Sequence, residues 1–334
     1  MAMLIHRDFI KANLLIIWIV GFYGCMDSTI VENQVGEGPL KRGRKAFEPN
    51  PHGQEHVGIR ALLTTRFADF DQFKQRVNIR YDRACLWTLD GPKQREMVHL
   101  EYQEGDELIQ RTLTSGIGQG ALLKLMDADP WQKMHFLLEN PLAVRERKVL
   151  DKFHMLSRRR ADVYGSKDVA FYDLAETMVR HINTPEVAFQ TFRDSLEKGY
   201  ISTFNHLAAQ AIITAFFSED LADLIGDLHE RHTMPELTTG QFSEKQLTDT
   251  ITSPMDNYVD VLNNEIGQRL GLKLKRRYQL HELTHCTPEL LATLLNEIQA
   301  YCMWALEIGM DPFQARDAVV IKFARKMNVH LASI

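Results

Sequence analysis

Three groups of polar residues lie between Ser202 and Gly271: Asn205-His206, then His229-Glu230-Arg231-His232, then Asp256, Asp260, Asn263 and Asn264. Imidazoles and carboxylates are the side chains that move protons and bind divalent metals near neutral pH. Asparagine adds short amides that orient a ligand. At ~100° per residue, Asp256, Asp260, Asn263, Asn264 and Gly267 share roughly 100° of one helix face. A solvated face normally uses Glu, Lys and Gln, because Asp and Asn are weaker helix formers. The chemistry this set suits is metal-assisted or acid/base hydrolysis, with His206, His229, Glu230, Asp256, Asn263 and Asn264 as the catalytic group. Glu230 or His229 is expected as general base, Asp256 as holder of a metal or of a histidine, and Asn263 as positioner of substrate. The cofactor such a set would take is zinc or another divalent metal. The alternative is a non-catalytic helical scaffold or binding protein. In that case His229 is a core-edge histidine, the Asp and Asn residues knit helices together, and Gly267 gives packing clearance.

A second motif competes. His281-Glu282-Leu283-Thr284-His285 fits H-E-x-x-H. On a helix this spacing sets His281 and His285 on one face as zinc ligands, with Glu282 as base toward a metal-bound water. Thr287-Pro288-Glu289 reads as the N-cap, first position and first turn of a new helix, so a helix carrying the motif would end at once. A zinc metallopeptidase is therefore the second alternative, and it requires one continuous helix through the motif.

The elements that must position these groups are helical by periodicity, which predicts an all-α, multi-helix bundle. Helix 203–217 has an apolar stripe of Phe204, Leu207, Ala208, Ala211, Ile212 and Ala215. Helix 219–231 has Leu221, Leu224, Ile225 and Leu228, beside an acidic stripe of Asp220, Asp223, Asp227 and Glu230. Helix 255–270 has Met255, Val259, Leu262, Ile266 and Leu270. Further helices are expected over 59–80, 130–140, 142–160, 167–182 and 185–198, the last capped by Thr184. At the C-terminal end, a helix through Leu291–Ala305 ends near Gly309, and another starts at Asp311-Pro312. Residues 84–102 admit one short β-hairpin around Asp90-Gly91. Cys302 falls on an apolar stripe and reads as a core thiol.

Asn205-His206, His229-Glu230, Met255-Asp256 and Asn263-Asn264-x-x-Gly267 together resemble an uncharacterised helical domain of secreted bacterial proteins. The resemblance spans about residues 202–271. It departs at Asn205, where arginine is common, and in lacking a tryptophan near Ala209 or Gln210. It implies a grouped site at these positions and no particular activity.

Composition bounds the rest. With 334 residues, 45% hydrophobic content and a net charge of −5, the chain can build a sizeable core and lacks the basic field of a nucleic-acid binder. The basic clusters at Lys41-Arg42, Arg44-Lys45, Arg158–Arg160 and Lys273–Arg277 read as solvated faces or helix ends. The four cysteines, Cys25, Cys85, Cys286 and Cys302, form neither a disulfide framework nor paired zinc ligands. Arg7 and Lys11, then Leu14–Val20, then Gly24-Cys25, look like a bacterial lipoprotein signal, although Phe22 and Tyr23 replace the usual small residues. The apolar run is shorter than the ~20 residues of a spanning helix. An uncleaved anchor and a terminus that is buried or unstructured in a cytoplasmic protein are the alternatives. The domain expectation is a signal or anchor over 1–25, a flexible tether over 26–56 and one helical domain over 57–334. The expected partner is the bacterial membrane, reached through a lipid or anchor, and the expected location is the cell envelope, facing the periplasm.

Overall fold

The first described segment, Val57 to Thr64, is largely buried. The computed structural model describes residues 57–88, 91–139, 146, 148–157, 169–249 and 253–331. The signal-like segment with Cys25, the tether, the basic pairs near residue 42 and Arg158–Arg160 lie outside these residues. The described residues fall within one unit, Asn50–Ile334.

After Thr64 the chain forms α1 (Phe70–Arg76), then an antiparallel sheet of β1 (Val77–Thr88), β2 (Gly91–Glu104) and β3 (Glu107–Thr114), ordered β1-β2-β3. Strand β2 alternates Val98, Leu100 and Tyr102 inward, and β3 adds Ile109 and Leu113 to the same buried face. Gly105, at φ 60°, opens the tight turn between Glu104 and Glu107. Next come α2 (Gln119–Met126), α3 (Pro130–Glu139), α4 (Val149–Leu156) and α5 (Phe171–Arg180). The body of the protein is α6 (Ser202–Phe216), α7 (Glu219–Thr233), α8 (Pro254–Tyr278), α9 (Pro288–Leu306) and α10 (Ala318–Leu331). Ser218, Ser253 and Thr287 cap α7, α8 and α9 by accepting from the backbone N–H three residues on, at 3.1, 3.3 and 3.2 Å. No helix among the described residues is long and apolar enough to cross a membrane.

The fold is thus mostly helical with a small sheet. The expected hairpin near 84–102 is present, and it begins at Val77 and gains a third strand. Four expected helices differ, one of them 142–160, where among the described residues only Val149–Leu156 is α-helical, after Lys148 at φ 50°. Over 59–80 only Phe70–Arg76 is α-helical. Before it, Asn263 takes both backbone groups of Leu62, and Thr64–Arg66 makes only a 3-10 turn, while residues after it join β2. The helix over 185–198 stops after one turn, Pro185–Ala188. The Thr184 hydroxyl does not cap it and accepts instead from Gly309 N at 2.7 Å. The last helix starts at Ala318 rather than Asp311, whose N–H and side chain are committed to His181 and Asn183.

Helix α8 is central. From Pro254 to Gly271 it is buried on nearly every side, including Asp256, Asn257, Asp260, Asn263, Asn264 and Gln268. Its polar stripe is therefore an internal seam between α6, α7 and the Val57–Thr64 segment. Two glycines let α6 approach. A Cβ on Gly267 would lie 2.8 Å from Leu207 O, and one on Gly271 would lie 2.5 Å from Ala211 O. Backbones this close place His206 of α6 directly against Asp260 and Asn264, which are four apart on α8.

Candidate functional site

His206, His229 and Glu230 converge. One donor atom from each lies within 4.8 Å of the others, and this is the group of potential metal ligands that the described residues contain. The imidazoles of His206 and His229 sit 6.1 Å apart, centroid to centroid. Adjacent positions on α7 split the environment: Glu230 is 1% exposed, whereas His229 reaches the surface. The cluster is buried at Glu230 and open at His229. Glu230 Oε1 is buried and accepts no hydrogen bond from any described residue. An unpaired buried carboxylate oxygen is costly, so it implies a partner at this spot or a proton on the acid.

His206 is held on both sides. Nδ1 lies 2.8 Å from Asn264 Oδ1, and Nε2 lies 3.3 Å from Asp260 Oδ2. Ser202 Oγ donates to Asp260 Oδ1 at 3.1 Å. Burial opposes charge on His206, but the Asp260 carboxylate outweighs it and pushes the imidazole up to about 9. Burial likewise opposes charge on Asp260, and His206 outweighs it, holding the acid below the usual carboxylate range. Glu230 goes the other way: burial, then the nearby Asp260 charge, raise it well above an ordinary glutamate.

Asp256 stands one turn before Asp260 and serves a different partner. Its Oδ2 pairs with Lys198 Nζ at 2.5 Å, and its Oδ1 accepts from Thr64 Oγ1 at 3.1 Å. The expectation that Asp256 orients a histidine is corrected to Asp260, because the register of α8 against α6 brings Asp260 level with His206. The expectation that Asn263 positions substrate is also corrected. Asn263 is fully buried and uses its amide to accept from Leu62 N at 2.9 Å and donate to Leu62 O at 2.8 Å. It mimics a strand neighbour for the Val57–Thr64 segment.

The H-E-x-x-H motif lies on a turn between α8 and α9. The continuous helix that would put His281 and His285 on one face is absent. His281 Nδ1 accepts from Leu283 N at 3.2 Å, and Glu282 Oε2 pairs with the buried Lys152 Nζ at 3.1 Å. Lys152 also holds Glu146 at 2.6 Å. The motif's glutamate thus anchors the turn, and the zinc-peptidase geometry is not met.

Two residues escaped the sequence reading. Lys198 sits on a kinked turn, Glu197–Ile201, that runs into α6, with Gly199 in a non-helical conformation. Gly199 makes the turn feasible, since a Cβ there would lie 2.2 Å from Asp194 O. Gln119 starts α2, and its Oε1 lies 3.1 Å from His229 Nδ1. A glutamine between Gly118 and Gly120 was the available signal, because paired glycines mark a close backbone approach. A Cβ on Gly118 would lie 2.8 Å from His232 Cα.

Comparison with protein-family models, with curated proteins and with solved structures gives no significant match. Function must therefore be argued from these side chains.

Proposed function

We propose that the cluster of His206, His229 and Glu230 is a divalent-metal centre of a hydrolase held at the bacterial cell envelope. The observation that carries this reading is the donor set: two imidazoles and one buried carboxylate whose donor atoms lie within 4.8 Å of one another. Two histidines plus a carboxylate is a ligand count that leaves a position for water, as catalytic zinc sites do and closed structural sites do not. Asp260, at 3.3 Å from His206 Nε2, supplies the carboxylate that commonly backs a metal-bound histidine. Zinc or a similar ion would lower the pKa of a bound water and polarise a carbonyl or phosphoryl oxygen. In this chain, Glu230 and the two histidines would hold the ion, Asp260 would orient His206 through Nε2, His206 Nδ1 would give up its proton and its Asn264 Oδ1 contact to bind, and the exposed side of His229 would face the substrate. The envelope location rests on Arg7, Lys11, Leu14–Val20 and Gly24-Cys25 alone.

A second reading, a non-catalytic scaffold, draws on one observation: both nitrogens of His206 already face oxygen partners.

Metal content separates the two. The full-length protein, purified without a histidine tag, is expected to carry or take up about one equivalent of zinc or another divalent metal by elemental analysis. His229→Ala and Glu230→Gln are expected to lose it while keeping the far-UV circular dichroism of the wild type. Metal-dependent cleavage of ester, amide or phosphoester reporters would then define the reaction. Failure to bind metal even after reconstitution would sink the metal centre and leave the scaffold.

A further inference from the structure

We infer that Gln119 is a positioning residue that sets the tautomer of His229 and thereby makes Nε2 the metal-donor atom of that ring. The inference rests on the metal centre proposed above. A neutral imidazole carries its proton on one nitrogen and its lone pair on the other, so whatever accepts from one nitrogen selects the other as the ligand.

The Gln119 side chain has two contacts. Its Nε2 donates to Ser157 O at 3.1 Å, and its Oε1 lies 3.1 Å from His229 Nδ1. Ser157 O is a backbone carbonyl and can only accept. Rotating the amide by half a turn would bring two oxygens together at that distance. The carbonyl therefore fixes the amide with Oε1 toward His229, and an amide oxygen can only accept. His229 Nδ1 must then carry the proton, which leaves the lone pair on Nε2. Free imidazole in a histidine side chain prefers the opposite tautomer, so Gln119 changes the state of the ring rather than following it.

The backbone is built to hold this contact. Gly118 and Gly120 flank Gln119, and both face His232, one turn after His229 on α7. Added Cβ atoms would lie 2.8 Å from His232 Cα and 2.8 Å from His232 Cε1. A side chain at Gly118 would meet backbone and hold the start of α2 away from α7, whereas one at Gly120 would only displace the His232 ring. The hydrogen bond crosses from α2 to α7, and the Ser157 carbonyl that pins it follows α4, so three helices meet at one amide.

The test reads the tautomer and the metal separately. Full-length protein labelled with 15N-histidine would be compared, metal-free and with zinc, as wild type, Gln119→Met and Gln119→Glu, with His229→Ala to assign the resonance. In the metal-free wild type, His229 is expected as the Nδ1–H form. Gln119→Met, which has similar length and no acceptor oxygen, is expected to shift it to the Nε2–H form and weaken zinc binding about 10–100-fold. Gln119→Glu retains an acceptor and is expected to restore the Nδ1–H form. A merely structural role would lower thermal stability in Gln119→Met and leave both readouts unchanged, which would overturn the inference. A wild type that binds no zinc yet shows the Gln119-dependent tautomer would instead overturn the metal centre. The tautomer signal keeps those two failures apart.

Discussion

Asp260 shows how one side chain sets the character of the interior. It is buried, paired with His206 and bonded by Ser202, and its charge adds to burial in raising Glu230 above an ordinary glutamate. Asp260→Asn keeps the shape and removes the charge, leaving His206 without its counter-ion. Loss of one partner of a buried ion pair costs about 3–5 kcal/mol. Chemical denaturation of Asp260→Asn at neutral pH is expected to show a loss of that order. A loss below about 1 kcal/mol would mean that the His206–Asp260 contact contributes little. The residue types at this seam were legible in the sequence, because Asp and Asn at those positions contradict ordinary helix-face composition. Their individual roles were not. Nothing in the spacing separates Asp256, which serves Lys198 and Thr64, from Asp260, which serves His206. That division depends on the register of two helices, and single-chain periodicity does not encode it.

Among the elements, the crossing of α6 and α8 positions the site. Gly271 faces Ala211 O and Thr214 Cβ, at 2.5 and 2.6 Å from where its Cβ would be, and backbone cannot step aside as a flexible side-chain tip can. Gly271→Ala is expected to push the helices apart and destabilise the protein by about 1–3 kcal/mol, with reduced metal uptake. Matching melting curves for Gly271→Ala and wild type would show that the pair has slack. Apolar stripes placed α6, α7 and α9 nearly residue for residue, although α6 is buried on most sides and not along one face alone. The stretch 59–80 misled because Phe67, Phe70, Phe73 and Val77 keep helical spacing. The Leu62 backbone is claimed by Asn263, and Val77 alternates into β1, so distant partners override the local pattern. The H-E-x-x-H spacing misled for a related reason: a motif has meaning only on the element it assumes, and here the chain turns.

For the whole molecule, Arg111 ties the sheet to the helical body. It rises from the buried face of β3 between Ile109 and Leu113 and reaches Asp223 at 2.9 Å, Asp227 at 2.8 Å and Glu265 at 3.2 Å. One guanidinium cannot neutralise three carboxylates. Burial, only partly offset by Arg111 and reinforced by Asp223, Asp227 and Glu219, pushes Glu265 up to about 7. The folded protein thus holds a proton on Glu265 more tightly than the unfolded chain does. That stabilisation is complete below about pH 4.3, the ordinary glutamate value, and is lost as pH rises through about 7. Glu265→Gln keeps the neutral form at every pH. Its stability relative to wild type is expected to rise between pH 5 and pH 8, by up to about 3 kcal/mol. A variant less stable than wild type at pH 8 would show that the ion pair with Arg111 outweighs the burial cost.

The Val57–Thr64 segment has a temporal consequence. Ile59 O accepts from the Tyr301 hydroxyl, 242 positions later, Leu62 is bonded by Asn263 across 201, and Thr64 donates to Asp256 across 192. A chain made from its N-terminus exposes this apolar strip first and its partners last. Closing loops of that length delays the contacts that reward it. Until α9 leaves the ribosome, Ile59 has no Tyr301 to bind. The hydrogen bonds of the strip cannot form until partners 192 to 242 positions further on have followed it out.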